Sequence, residues 1–204
     1  PSVISFLCPS CSEASADRLL CSKCGVPIDK SAPIVSFKNF SISDQLHRIV
    51  TSNYQHMDLW RTSANDEMKD IRDGEVYRRL EEKCAKPFIT FSLNIDGIQP
   101  NKGTSKTIWP ILLVVNELPQ KRRFSPENII LAGVWRGPKK PSREHMNSFL
   151  QPTVTELVRL EEGDHFFIPS ESASSSNHLT RIRVYLIGAC CDKPAQALVQ
   201  NIAE

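Results

Sequence analysis

An α+β protein built on one mixed sheet, with a small cross-linked segment ahead of it, is the fold this sequence predicts. Three observations carry that expectation. Beyond residue 87 the apolar segments follow the order strand, strand, strand, helix, strand, helix. Hydrophobic residues make up 40% of 204, enough for one main core but not for two large ones. Four of the seven cysteines fall in two close pairs near the start. The expected divisions are a four-cysteine knuckle over 1–30, a helical linker region over 31–86 and the sheet over 87–204.

Residues 1–30 hold little aliphatic sequence beyond Val3 to Leu7 and Leu19-Leu20, so a staple must replace a core there. From Ser43 to about Tyr54, Leu46, Ile49 and Val50 recur at helical spacing after a Ser/Asp start. Asp66 to Glu82 mixes seven acids with four bases and reads as a solvated turn leading into a short helix that ends before Pro87. Phe88 to Ile95, Ile108 to Asn116 and Asn128 to Val134 read as strands. Asp96-Gly97 with Pro100 and Gly103 separates the first two, and Leu118-Pro119 with Lys121-Arg122-Arg123 the next two. Ser142 opens a helix reaching Gly163, in which Pro152 predicts a kink or a late start. A Ser-rich loop over Pro169 to Ser176 precedes a largely buried strand over Arg181 to Ala189, and a helix begins near Pro194. Short loops make the first three strands an antiparallel meander, and the helix before the fourth makes a crossover that lays it parallel to the first. That order matches an RNase H-like sheet.

Composition excludes several classes. A net charge of +2, from 25 bases and 23 acids, rules out a histone-like polycation and a disordered acidic tail. The longest apolar runs, Ile108 to Val115 and Val184 to Cys191, fall short of the roughly 18 residues of a membrane span, so the chain reads as soluble, with no membrane partner. Pro1 to Leu7 shows no signal peptide, and a chain opening on Pro in place of Met reads as cut from something longer.

Cys8-Pro9-Ser10-Cys11 and Cys21-Ser22-Lys23-Cys24-Gly25 can meet tetrahedrally around one ion. Four thiolates leave no open position, so Zn²⁺ bound by Cys8, Cys11, Cys21 and Cys24 is structural. Two disulfides or a mononuclear iron site use the same residues; the paired spacing of zinc ribbons favours zinc, although the nine-residue spacer is shorter than their usual one. Cys84, Cys190 and Cys191 read as buried free thiols.

Asp96 follows the first apolar strand and Asp192 the last. On adjacent parallel strands both carboxylates would leave the same sheet edge and could share Mg²⁺ or Mn²⁺, the ions that serve phosphodiester chemistry. On spacing alone, the turn at Asp96-Gly97 and the helix cap at Asp192 are the preferred readings.

The segments Asn94-Ile95-Asp96-Gly97-Ile98-Gln99-Pro100, Thr107-Ile108-Trp109-Pro110 and Asn116-Glu117-Leu118-Pro119 share their order with a known family. So do Asp70-Ile71-Arg72-Asp73-Gly74-Glu75-Val76-Tyr77 upstream and, downstream, Trp135-Arg136-Gly137-Pro138-Lys139-Lys140-Pro141, Glu156 to Gly163 and Asp192-Lys193-Pro194-Ala195. Over residues 66–200 the sequence resembles the catalytic core of CACTA (En/Spm-type) DNA transposases. The resemblance implies an RNase H-like core in which Asp96 and Asp192 are the first two acids of a three-acid Mg²⁺ or Mn²⁺ site that cuts DNA and transfers strands. It also implies an intracellular, nuclear protein with DNA as partner and room for a homo-oligomer. The family's third acid lies farther along, on a later helix, and this chain ends at Glu204 before reaching it. The chain thus reads as the front part of such a core or a truncated relic. A second reading keeps the zinc knuckle and basic surface for DNA or protein contacts without catalysis, and a zinc-ribbon adaptor is a third.

Residues 97–150 carry nine bases against three acids. Lys121, Arg122, Arg123, Arg136, Lys139 and Lys140 are the expected phosphate contacts, which would position DNA without reading its sequence. Isolated bases are also ordinary solvated surface. Trp109 and Trp135 read as core anchors, and the five histidines lack ligand spacing.

Overall fold

The computed structural model describes residues 2–28, 34–59, 68–85, 87–99, 107–137, 139–168 and 178–200. Trp60, Lys102, Lys106, the turn residues Pro100 and Gly103, the Ser-rich stretch over 169–176 and Glu204 lie outside them.

The chain begins with three strands, β1 (Ser2–Leu7), β2 (Ala14–Ser15) and β3 (Ser36–Phe40), and two helices, α1 (Ile42–Asn53) and α2 (Glu75–Lys83). Strands β4 (Phe88–Ile95) and β5 (Thr107–Val115), a single helical turn α3 (Gln120–Arg123) and strand β6 (Ile129–Gly137) come next. They are followed by helix α4 (Arg143–Glu162), strands β7 (Asp164–Ile168) and β8 (His178–Cys190) and helix α5 (Lys193–Gln200). β4, β5 and β6 form the antiparallel meander, and β8 returns after α4 to lie parallel to β4. The full order is β2-β1-β3-β6-β5-β4-β8-β7.

Alternation along β4 explains the layering. Ile89, Phe91, Leu93 and Ile95 enter the main core, while Phe88, on the other face, packs on Tyr77 of α2 and on Tyr185. On the core face α4 buries Met146, Phe149, Thr153, Leu157 and Leu160, with Phe149 against Phe37 and Trp135. α1 lies beside it, burying Ile42, Leu46, Ile49 and Val50. Glu156 of α4 accepts the first backbone N–H groups of α1, from Ile42 and Ser43, which ties the two helices together. Ser142 caps α4, and Pro152 neither delays nor ends it. Trp109 and Trp135 are buried as expected.

The structure departs from expectation in three places. The boundary at residue 30 is no structural break, because β1 pairs with β3 and β3 with β6, so the first residues extend the main sheet. An extra strand, β7, caps the far side of β8 in antiparallel pairing. Of the three cysteines expected as buried thiols, Cys190 is exposed and Cys84 and Cys191 are half-buried.

Candidate functional site

The two cysteine pairs are closed by the same local geometry. In the first, Ser12 N–H donates to Cys8 O and Cys8 N–H to Glu13 O; in the second, Gly25 N–H donates to Cys21 O and Cys21 N–H to Val26 O. Leu7 pairs with Ala14 across the first loop and Leu20 with Pro27 across the second, so each pair sits at the tip of a small hairpin. The residue after each second cysteine turns left-handed, Ser12 at φ 56° and Gly25 at φ 68°. Gly25 adopts this at no steric cost.

These loops bring all four sulfurs within 4.8 Å of one another. Cys8–Cys24, Cys11–Cys21 and Cys11–Cys24 are each 3.6 Å apart. A disulfide would require about 2.05 Å, whereas a tetrahedral zinc with Zn–S near 2.3 Å requires sulfurs about 3.8 Å apart. The four cysteines can therefore hold a metal ion such as zinc. Backbone N–H groups of Cys24 and Lys23 lower the Cys21 thiol to about 6. The Glu13 backbone favours the Cys11 thiolate too, but burial and the neighbouring sulfurs outweigh it and push that thiol up to about 12. Without a cation the cluster resists full ionisation.

The knuckle is docked on the domain through Ser12. Its hydroxyl donates to Glu144, and its carbonyl accepts from the Ser148 hydroxyl on α4.

Asp96 and Asp192 each lie two residues past the paired Asn94 and Cys190, at the same end of adjacent parallel strands. Both carboxylates act on Cys191, whose thiol is raised by burial and, among lesser causes, by these two charges. The Asn94 amide donates to Cys190 O at 2.6 Å, clamping the strand ends just before the acids. A bulge at Ile187 interrupts β8 near this end, a feature common beside functional edges. Each acid also has a local role. Asp96 Oδ1 accepts from Gly97 N–H, and Asp192 Oδ1 caps α5 by accepting from Ala195 N–H. Asp96 and Asp192 are both exposed. A Cβ on Gly97 would lie 2.7 Å from the Trp109 ring, so the turn after Asp96 rests on the indole only because the residue is glycine.

The expected phosphate contacts separate into two groups. Arg136, at the end of β6, and Lys139 and Lys140 just beyond it are exposed at the edge that carries the acids, since Arg136 pairs with Ile108 and Ile108 bridges to Ile98. β6 lies two strands from β4, about 10 Å. The cysteine cluster follows β1 at this same edge, because Phe6 pairs with Ser36 and Ser36 with Arg136. Lys121 and Arg122 are exposed at the opposite edge, before β6 starts.

Arg123 corrects the expectation outright, being 4% exposed and unable to touch a phosphate. Its Nη1 and Nη2 donate to the two oxygens of Asp70 at 2.8 and 2.7 Å, and its remaining donors bond the carbonyls of Asn116 and Leu118. The segments Asp70 to Tyr77 and Asn116 to Pro119, which carry much of the sequence resemblance, meet in this buried joint, far from the acids. Glu117, 0% exposed, accepts from Thr90 N–H and Thr90 Oγ1 beside it. The signal in the sequence was a charged residue continuing an apolar strand directly before Leu-Pro.

Burial pushes the Glu117 carboxyl up to about 7 from 4.5, against the pull of the Thr90 N–H and hydroxyl. The native state then holds a proton that the unfolded chain releases, so this contribution is complete below about pH 4.5 and is lost as pH rises through about 7. The stability of the wild type relative to Glu117→Gln should fall by on the order of 3 kcal/mol across that window. Urea unfolding at pH 4.5, 5.5, 6.5 and 7.5 checks it, and a constant difference contradicts it.

A mixed α/β protein with a metal-competent four-cysteine cluster is the class these features define. The chain belongs to the DUF1258 family of proteins of unknown function, whose model matches residues 2–173. That match takes in the cysteine cluster and Asp96 and stops before β8 and Asp192. No curated protein matches the chain. No helix among the described residues is long and apolar enough to cross a membrane.

Proposed function

We propose that this chain is a transposase-like protein with an RNase H-like core of CACTA type, acting on DNA phosphodiesters at the edge that carries Asp96 and Asp192. The observation that supports it most is the register of β4 and β8, which sets the two acids level on neighbouring parallel strands. Accessible carboxylate oxygens suit the hard ions Mg²⁺ and Mn²⁺. Such ions, when bound, activate the attacking oxygen and stabilise the leaving one. Asn94 holds the two strand ends together, the Asp96–Gly97 turn rests on Trp109, and Arg136, Lys139 and Lys140 supply phosphate contacts on the same edge. Zinc at Cys8, Cys11, Cys21 and Cys24 is structural and braces the start of α4. As a transposon-derived DNA-acting protein it would work in the nucleus.

The reading is tested by Mn²⁺ titration. Asp96→Asn and Asp192→Asn should each weaken binding at least tenfold, and unchanged affinity in both sinks the reading. The bases should act separately: neutralising Arg136, Lys139 and Lys140 should flatten the salt dependence of duplex binding, by up to about 0.9 in slope per phosphate left unneutralised. Neutralising Lys121 and Arg122 should leave it unchanged. An equal effect from both sets would contradict a single DNA edge.

The second reading, a DNA-binding module without turnover, has one observation in its favour. Among the described residues the cysteine cluster is the only set of three or more His, Cys, Asp or Glu placed to share an ion. Two like charges without a third ligand hold Mg²⁺ weakly, so this chain by itself should bind DNA without cutting it. Mn²⁺-dependent nicking of a duplex, abolished by Asp96→Asn, would decide against this second reading.

A further inference from the structure

The outer face of the β7–β8 ribbon has no part in the edge described above. His165 lies opposite Arg181, and Phe167 opposite Leu179. Opposed residues share a face, and the period of two adds Arg183 and Tyr185. The other face of the ribbon sends Phe166, Ile168, Ile182 and Val184 into the core. Asp164, the acid of β7, lies on that inner side, bonded to Ser43 and His47.

What remains outside combines an exposed ring with exposed cations. Phe167 is 61% and Leu179 55% exposed. Arg181 and Arg183 are exposed, and neither has a carboxylate partner among the described residues. Arg181 donates to the Glu162 carbonyl, and the Tyr185 hydroxyl accepts from the Cys84 thiol. The two arginines, with Ala85 and Pro87, line a notch of about 280 Å³. Along the strand, successive outer residues are about 6.8 Å apart, so the Phe167–Leu179 pair and the two guanidinium groups form a line roughly 14 Å long.

We propose that this face binds single-stranded DNA, with one base against Phe167 and Leu179 and the neighbouring phosphates on Arg181 and Arg183. An exposed ring on a sheet offers a stacking surface to any unpaired base, and cations beside it take the backbone without sequence preference. A duplex stacks its own bases and gains nothing from the ring. A second copy docked isologously would bring the arginines of both faces together with no carboxylate of either described face between them. The choice of DNA over RNA rests on the function proposed above; the choice of a single strand does not.

The test is fluorescence anisotropy of a short labelled oligo-dT with the full chain. Phe167→Ala should weaken binding about fivefold or more, as loss of one stacked base requires, while Phe167→Tyr retains it. Replacing both Arg181 and Arg183 by Gln should lower the slope of log affinity against log salt by about 1.4. These side chains are exposed, so thermal melts should match wild type and exclude misfolding as the cause. Unchanged affinity in both variants overturns the proposal, as does preference for duplex or for oligo-U, or a dimer that Phe167→Ala dissolves. Loss of Mn²⁺ binding in Asp96→Asn with oligo-dT binding intact leaves this face standing. Mn²⁺ binding intact with no oligo-dT affinity removes this face and spares the other edge.

Discussion

Asp70→Ala, and equally Arg123→Ala, should destabilise the protein by about 3–5 kcal/mol, the usual consequence of stranding one charge of a buried pair. Arg123 is 4% exposed, and both terminal nitrogens donate to Asp70. Burial alone would raise the Asp70 carboxyl, but its hydrogen bonds and charge interaction with Arg123, helped by Arg72, hold it below its ordinary value. Asp70 therefore contributes stability that is present above pH 4 and lost as pH falls further. Arg72 lies 3.5 Å from the same carboxylate but also donates to Asp58, so Asp70→Ala leaves Arg72 a partner and strands Arg123. Arg123→Lys should rescue little, because one ammonium cannot reproduce the paired bonds to Asp70 together with the bonds to Asn116 and Leu118. Urea unfolding of the single variants measures the cost. A loss under about 1 kcal/mol for Arg123→Ala would mean the joint is solvated in solution.

Stripping metal from the cysteine cluster should release residues 8–28 from the fold, with the loss of free energy that structural zinc sites carry, about 10 kcal/mol at neutral pH. Little else holds the loops. Leu7, Cys8, Cys21 and Ile28 are the buried apolar side chains among residues 2–28, and the two hairpins carry only a few backbone hydrogen bonds. Protein purified under reducing conditions should contain one zinc per chain. Chelation or Cys8→Ser should abolish hydrogen-exchange protection over 8–28 and lower it at the start of α4, where Ser12 bonds Glu144 and Ser148, while β1 keeps its protection against β3. Clearly substoichiometric zinc, or a disulfide joining Cys8 to Cys11 or Cys21 to Cys24, would refute a structural zinc here.

The elements legible in the sequence were those whose own residues settle their form. β4 and β5 are long apolar runs, α4 has a Ser cap and a helical apolar face, and each element appears within a residue or so of its expected bounds. The cysteine cluster was equally legible, because the spacing within each pair already implies the turn. β3, Ser36–Phe40, and β7, Asp164–Ile168, are five residues each; β3 depends on β6, about 100 residues on, and β7 follows α4 after a single glycine with an exposed Phe167, so no local pattern announces them. Arg123 was misread for a related reason. In Lys121-Arg122-Arg123 only the register of α3 separates two solvated bases from a buried one, and the partner that decides it, Asp70, lies 53 residues away. Asn94, Ile187 and Gly97 shape the acid edge through tertiary contacts with Cys190, β4 and Trp109, which composition does not encode.

Anomalous diffraction from a crystal of the zinc-loaded chain soaked in Mn²⁺ would examine the shared acid edge most directly. One Mn²⁺ peak should lie about 2.1 Å from carboxylate oxygens of both Asp96 and Asp192, separate from the zinc peak among the four sulfurs. A well-ordered crystal with the two aspartates free of Mn²⁺, or with an ion on only one of them and the other turned away, would contradict the reading of this edge as a metal-dependent DNA site.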